Sequence, residues 1–177
     1  AAGGARMQFW WDFAATIPEA QAMAPSPNYG FPKASAQPTP KPGTPASTPS
    51  PIQYPGPWQG EYFSGRDLTK APALTRTDEA INFDWKLGSP ATEIPVDQFA
   101  VRWTGTFAFE AGRYRFTTTS DDGVRVYVND RLVIDSWRPM RGTRTATVTL
   151  PQGNATIRVE YFEQTGAAMA RLSWRKL

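Results

Sequence analysis

The sequence predicts an all-β domain, an antiparallel β-sandwich or barrel-like module, preceded by an extended proline-rich N-terminal arm that carries a short helix. Twelve of the seventeen prolines lie before Trp58, whereas nearly all the two-residue alternation of apolar and polar side chains lies after it. Short alternating runs closed by turn residues are typical of sandwiches and barrels, and nothing after Trp58 has a helical period. A chain of 177 residues can bury one sizeable core beside such an arm.

Residues 1–23 form the first segment, in which large apolar side chains recur every three or four residues. This spacing predicts a short helix that ends near Pro18. Two interpretations stay open, since the segment could fold back on its own domain or could be a docking arm whose aromatic side chains bury in a partner. The residues that would make the partner contact are Met7, Phe9, Trp10, Trp11, Phe13 and Ile17.

Residues 24–57 form a second segment that is rich in Pro, Ser and Thr and nearly uncharged. This composition favours an extended polyproline-II linker, which could span on the order of 100 Å at about 3.1 Å per residue. The sequence starts Ala1-Ala2-Gly3-Gly4 without a methionine, as a mature secreted protein would after loss of its signal peptide. We therefore expect an extracellular or cell-surface location.

Composition excludes several classes of site. The chain has no cysteine and no histidine, so it has no disulfide, no thiolate nucleophile, no imidazole base and no nitrogen or sulfur metal ligand from these residues. The net charge of +3 is spread along the chain, and we do not expect nucleic acid as a partner. No apolar run approaches the roughly twenty residues of a membrane-spanning helix.

Alternation of apolar and polar side chains predicts where the strands of the domain lie. Arg113 to Thr119 places Tyr114, Phe116 and Thr118 on one face, and Val124 to Val128 alternates in the same way. Asn129-Asp130 predicts a tight hairpin turn, because both residue types tolerate a positive φ. Further strands are predicted at Leu132 to Ile134, Thr143 to Leu150, Thr156 to Phe162 and Met169 to Trp174.

Two adjacent carboxylates, Asp121 and Asp122, lie between two of these alternating runs and are followed by Gly123. Neighbouring side chains of an extended strand point to opposite faces, so the two can converge only at a sharp turn or a cis peptide bond. Converging carboxylates would form a site for a hard cation. The alternative is a turn with no ligand, since Asp and Gly are ordinary turn residues.

A series of motifs recurs in a fixed order and resembles the protective-antigen-fragment domain family, which occurs in toxins, yeast flocculins, bacterial adhesins and glycosidases. The resemblance covers residues 58–177 and implies a β-sandwich of antiparallel strands. The motifs are Trp58-x-Gly60-x-Tyr62, Ile81-x-Phe83-x-Trp85, Phe99-x-Val101-Arg102-Trp103-x-Gly105, Gly112-x-Tyr114-x-Phe116, Ser120-Asp121-Asp122-Gly123, Val126-Tyr127-Val128, Leu132-Val133-Ile134-Asp135-x-Trp137 and Ile157-Arg158-Val159-Glu160-Tyr161-x-Glu163.

The resemblance also implies a ligand. Carbohydrate-binding members hold calcium with an Asp-cis-Asp pair, which Asp121 and Asp122 match, and the calcium binds vicinal sugar hydroxyls. The facing loop, Glu163 to Ala167, would supply further oxygens, with Gln164 as its best side-chain ligand and Thr165 behind it. This loop departs from the flocculin-like pattern because it contains no Asn or Asp.

Tryptophans are a second source of sugar contacts. Trp85, Trp103 and Trp174 are expected in the core, because an alternating strand sends its large side chains inward. Trp137 follows a strand end and is the one expected to reach a ligand. The ligand-binding residues predicted from the sequence are therefore Asp121, Asp122, Trp137, Gln164 and Thr165.

Two functions follow from these features, and neither is enzymatic. Adjacent carboxylates are too close to lie on both sides of a glycosidic bond, and no other catalytic group stands out. The first hypothesis is a secreted or cell-surface module that binds a glycan or glycoprotein through calcium, as adhesins do. The alternative is a structural subunit of an extracellular assembly or filament, which self-associates through residues 1–57 and displays the β domain outward.

Overall fold

The computed structural model describes residues 54–177, which fold into ten β-strands and no helix. The all-β prediction is confirmed. The proposed helix, the docking residues Met7 to Ile17 and nearly all of the linker lie outside the described residues. In residues 54–177 there is no helix with the length and apolarity that crossing a membrane requires. The strands are β1 (Trp58–Phe63), β2 (Leu74–Asp78), β3 (Asn82–Lys86), β4 (Phe99–Phe109), β5 (Gly112–Asp121), β6 (Gly123–Val128), β7 (Arg131–Ser136), β8 (Gly142–Leu150), β9 (Gly153–Glu163) and β10 (Ala168–Lys176).

The strands form two antiparallel sheets that pack as a sandwich. One sheet has six strands in the order β2-β1-β4-β9-β6-β7, and the other has four in the order β3-β10-β5-β8. The consecutive strands β5 and β6 therefore belong to different sheets. The chain passes from one sheet to the other at Asp121 and Asp122, which places the two carboxylates at one end of the sandwich.

The core lies between the sheets and is built by alternation. In β5, Tyr114, Phe116 and Thr118 are buried as predicted, while Arg113 and Arg115 face solvent. Burial of large apolar side chains on one face of each strand is the main favourable term for such a fold. Trp103 is completely buried, and Trp85 and Trp174 pack partly buried against the same core.

The turns have the chemistry that their residues predict. Asn129 and Asp130 join β6 to β7 with φ of 48° and 60°. Both values lie in the left-handed region, where Asn and Asp are the best tolerated residues after glycine. The predicted two-residue hairpin is confirmed, with β7 running from Arg131 to Ser136.

A buried polar network lies under the six-stranded sheet. Oδ2 of Asp78 accepts hydrogen bonds from the Tyr62 hydroxyl at 2.6 Å and from Nε1 of Trp103 at 2.8 Å. Its Oδ1 is 2.7 Å from Nε of Arg76. A carboxylate that is only 6% exposed is thus fully partnered, as a buried charge must be to avoid a large desolvation cost.

The strand directions define two ends of the sandwich. Glu163 at the end of β9 pairs with Phe99 at the start of β4, on the side where β5 ends at Asp121. We call this the site end. The chain runs toward the site end through β1, whose Phe63 pairs with Ala100, and away from it through β10.

Candidate functional site

The two adjacent carboxylates lie at the passage from β5 to β6. The peptide bond between Asp121 and Asp122 is cis, as the sequence resemblance implies. Hydrogen bonds hold the backbone of this passage, because the Ser120 hydroxyl donates to the carbonyl oxygen of Asp122 at 2.8 Å and the Tyr161 hydroxyl donates to that of Asp121. The passage is therefore fixed from both β5 and β9.

Phe162 packs against the next residue, Gly123. A Cβ atom at Gly123 would lie 2.1 Å from a ring carbon of Phe162, so only glycine fits there without displacing the ring. The ring of Phe162 in β9 thus packs directly on the Cα atom of Gly123, the first residue of β6. This contact explains why the Asp-Asp pair is followed by glycine.

Asp122 is the buried member of the pair, with 8% of its surface exposed. Its Oδ2 accepts a hydrogen bond from the backbone N–H of Gln164 at 2.9 Å. The loop that follows β9 is therefore attached directly to the carboxylate. Asp121 is partly exposed, and burial together with the charge of Asp122 raises its pKa.

Glu163 adds a third carboxylate behind the pair, at the end of β9. Its side chain is completely buried, its Oε2 lies 3.2 Å from the Tyr161 hydroxyl and shares that proton with the Asp121 carbonyl oxygen, and among residues 54–177 its Oε1 has no hydrogen-bond partner. Burial, followed by the negative charge of Asp122, raises the pKa of Glu163 to about 7. An acid with this pKa is poised between its neutral and charged forms near neutral pH.

Asp97, in the connection between β3 and β4, is the fourth acidic residue at this end. Its Oδ1 accepts from the backbone N–H of Gly166 at 2.9 Å, and its charge contributes to the raised pKa of Glu163. We refer to Asp97, Asp121, Asp122 and Glu163 as the acidic cluster. Asp97 is not part of the cation site predicted from the sequence, and Glu163 enters that prediction only as the first residue of the facing loop.

The facing loop is tied to the domain on both sides of Gln164. The carbonyl oxygen of Gln164 accepts from the backbone N–H of Gln98 at 3.2 Å and from its side-chain amide at 2.8 Å. Its side-chain Oε1 accepts from Arg66 at 2.9 Å. Thr165, the next residue, is exposed at the rim. Gln164 thus contacts Asp122 through its backbone, whereas its side-chain oxygen is engaged by Arg66, and its role as a metal ligand stays a prediction.

The residues present fit a hard cation. The acidic cluster concentrates negative charge, and Oε1 of Glu163 is a buried acceptor to which no group in the described part of the chain donates, which is costly unless positive charge is supplied. Every donor atom here is oxygen, the ligand type that calcium prefers. Within residues 54–177 no three acidic side chains are arranged to hold a metal by themselves, so backbone, amide or ligand oxygens must complete the shell.

Trp137 lies outside the acidic cluster but borders it through Phe162. The two rings meet edge to face with centroids 4.7 Å apart, and the Arg125 guanidinium lies 4.6 Å from the Trp137 ring centroid. A cavity of about 320 Å³ is lined by Trp137, Phe162, Arg66 and Pro139. Since Phe162 also packs on Gly123, this cavity adjoins the Asp121–Asp122 passage.

The fold can be placed among those of known proteins. The family model of the PA14 domain matches residues 53–177. The anti-sigma-I factor RsgI3 of Acetivibrio thermocellus is 36% identical over 119 residues, which are 66% of this chain and 18% of that protein.

Solved structures show the same likeness. An anti-sigma factor domain-containing protein from Clostridium clariflavum is 36% identical with a TM-score of 0.64, covering 68% of this chain and 42% of that one. A PA14 sugar-binding domain from an RTX adhesin, 22% identical with a TM-score of 0.52, covers 69% of this chain and 90% of its own and shares the fold. The chain therefore spans less than half the length of either anti-sigma relative.

Proposed function

Because this chain belongs to the PA14 domain family, and because its acidic cluster lies at one end of the sandwich, we propose that it is a calcium-dependent carbohydrate-binding module that acts outside the cell or on its surface. The observation that carries the proposal is the buried, unpartnered Oε1 of Glu163 behind Asp121 and Asp122. A site that has an excess of negative charge and only oxygen donors gains stability when a hard cation binds.

Asp121 and Asp122 would hold the cation, with Gln164 and backbone oxygens of its loop as further ligands. Bound calcium would supply a cationic centre with free coordination positions for vicinal hydroxyl oxygens of a sugar. The protein's part is to orient the carboxylates, which Ser120, Tyr161 and the Gln164 N–H do through the hydrogen bonds described above.

Sugar contacts beyond the cation would come from the rim. Trp137 is an aromatic surface beside the cavity of about 320 Å³, and Thr165 is an exposed hydroxyl on the facing loop. An aromatic ring packs against the apolar face of a sugar, and a hydroxyl can donate to or accept from it. A related fold, the PA14 domain of an RTX adhesin, is a sugar-binding domain, which supports the same use of this site.

The test is binding of the full chain to an array of neutral glycans in millimolar calcium and again with a chelator. We expect binding in calcium only, and we expect Asp122→Asn to abolish it. Asp130→Asn is the matched control, because Asp130 lies in the β6–β7 turn with 92% of its side chain exposed. Binding that survives the chelator, or that Asp122→Asn leaves intact, would overturn the proposal.

A further inference from the structure

The outer face of the four-stranded sheet carries a second set of unusual side chains, far from the acidic cluster. In β5 and β8 the residues that point away from the core are almost all Thr or Arg. Arg113 lies eight residues from Asp121 along β5, which is about 26 Å at 3.3 Å per residue. A ligand on this face would therefore not touch the candidate cation site.

The register arranges these side chains in rows across three strands. One row contains Thr145, Thr117 and Ser173, and the next contains Thr147, Arg115 and Arg175. Arg113 pairs with Thr149 in the row beyond. We call these rows the Thr/Arg face. Side chains on one face of adjacent strands stand about 5 Å apart, so the hydroxyls and guanidinium groups form one continuous surface.

The arginines of this face are not compensated by acids. Arg115 and Arg175 are directly opposite each other, a like-charge pair that destabilises a sheet. Among the residues that the structure describes, no carboxylate lies within ion-pair distance of Arg113, Arg115 or Arg175. Arg171 on the same sheet, by contrast, lies 3.5 Å from Asp84. Uncompensated guanidinium groups in one patch favour an anionic ligand.

Other features of the face distinguish between classes of polyanion. The described part of this face presents no aromatic side chain on which nucleic-acid bases could stack, and its exposed apolar side chains lie at its margins, at Leu177 beside Arg113 and at Leu132 of β7. It presents threonine and serine hydroxyls, which both donate and accept hydrogen bonds. A polymer that carries many hydroxyls and regularly spaced acids matches this combination.

A cleft extends the Thr/Arg face at the edge of β8. It has a volume of about 310 Å³ and is lined by Arg131, Leu132 and Val133 of β7 and by residues 146–149 of β8, so that apolar side chains alternate with Thr147 and Thr149. Arg131 is exposed and adds a fourth cation at this edge.

From these observations we propose that the Thr/Arg face binds an acidic polysaccharide, without calcium, through Arg113, Arg115 and Arg175 and the neighbouring hydroxyls. The guanidinium groups pair with carboxylate or sulfate groups, for which their planar fork is suited. The threonine hydroxyls bind sugar hydroxyls between them. This activity goes beyond the calcium-dependent site and does not depend on it.

The test measures binding of the full chain to polygalacturonate and to heparin in chelator, with dextran as the neutral polymer. We expect Arg115→Gln/Arg175→Gln to lower the affinity for at least one acidic polymer by tenfold or more at low salt. The control is Lys70→Gln/Arg138→Gln, which removes the same two charges from exposed positions outside the face. We expect the control to change the affinity less than threefold.

Stability separates loss of the site from loss of the fold. Removing the opposed like charges should leave the midpoint of thermal unfolding equal or higher, while binding falls. Three outcomes would overturn the proposal: no binding to either acidic polymer, an equal loss in the control variant, or polyglutamate bound as tightly as the polysaccharides at the same salt. The last would assign the face to acidic peptides instead.

Discussion

The backbone N–H of Gln164 donates to Oδ2 of Asp122 at 2.9 Å, across 42 residues of sequence. This hydrogen bond joins the loop after β9 to the passage between the two sheets. A charge-assisted bond of this kind holds the carboxylate in one orientation, and it does not depend on the side chain at position 164. The side chain of Gln164 can therefore be altered without releasing Asp122.

We predict opposite effects of changing Arg66 and Gln164 on calcium affinity. Arg66 occupies Oε1 of Gln164 at 2.9 Å, so it competes with calcium for that oxygen and repels the cation. Arg66→Met should raise calcium affinity about threefold, and Gln164→Ala should lower it by a similar factor, both measured by isothermal titration calorimetry. In the Gln164→Ala background the gain from Arg66→Met should be smaller than threefold, because only the relief of charge repulsion remains. Additive effects would show that Gln164 is not a ligand.

We predict that the calcium-free protein loses stability as pH rises from about 4.5 to above 7. Glu163 has a pKa raised from 4.5 to about 7 in the folded state. Because the folded state favours the neutral form of Glu163, protonation of this side chain contributes to the stability of the folded state. That contribution is complete below pH 4.5 and is lost as pH rises through 7. The loss is at most about 3 kcal/mol. Thermal unfolding in chelator across this pH range measures it, and saturating calcium should flatten the curve.

We predict that Glu163→Gln removes most of that pH dependence. The amide keeps the shape of the side chain but carries no charge. In chelator at pH 8, the free energy of unfolding of the variant should therefore exceed that of the wild type by at least about 1 kcal/mol. Calcium should stabilise the variant less than it stabilises the wild type, because one negative charge is missing. A pH profile identical to that of the wild type would show that other groups cause the dependence.

We predict a large loss of stability for Asp78→Ala. The substitution leaves buried donors on Tyr62 and Trp103 without an acceptor, and the charge of Arg76 without its partner. Such losses cost about 3 to 5 kcal/mol. Asp84→Ala, which removes a half-exposed ion pair with Arg171, should cost less than about 1 kcal/mol. Urea unfolding of the two variants measures both losses of free energy of unfolding. Equal losses would contradict the role of Asp78 as the acceptor of a buried hydrogen-bond network.

Local patterns explain why much of the fold could be predicted. Alternation in Arg113 to Thr119 follows from the pleat of a single strand, and the Asn129-Asp130 turn follows from two residue types that tolerate positive φ. Both depend on neighbours in sequence. The strand order within each sheet depends on pairing between distant segments, and no local pattern encodes it.

The incomplete prediction of the site has the same cause. Asp121 and Asp122 are adjacent in sequence, whereas Asp97 joins the cluster through Gly166, 69 residues away. Glu163 does carry a signal, because it is an acid that directly follows two aromatic residues in a strand. Whether such an acid is buried depends on what packs over it, which only the assembled sandwich determines.

The direction of the strands at the two ends of the sandwich has a consequence for how the module can be used. Strand β1 runs toward the end of the sandwich that bears the acidic cluster, and β10 runs away from that end. The start of β1 and the end of β10 therefore both lie at the end of the sandwich opposite the acidic cluster. Such a domain can be inserted between other domains, or repeated in tandem, without the linkers covering the end that bears the acidic cluster.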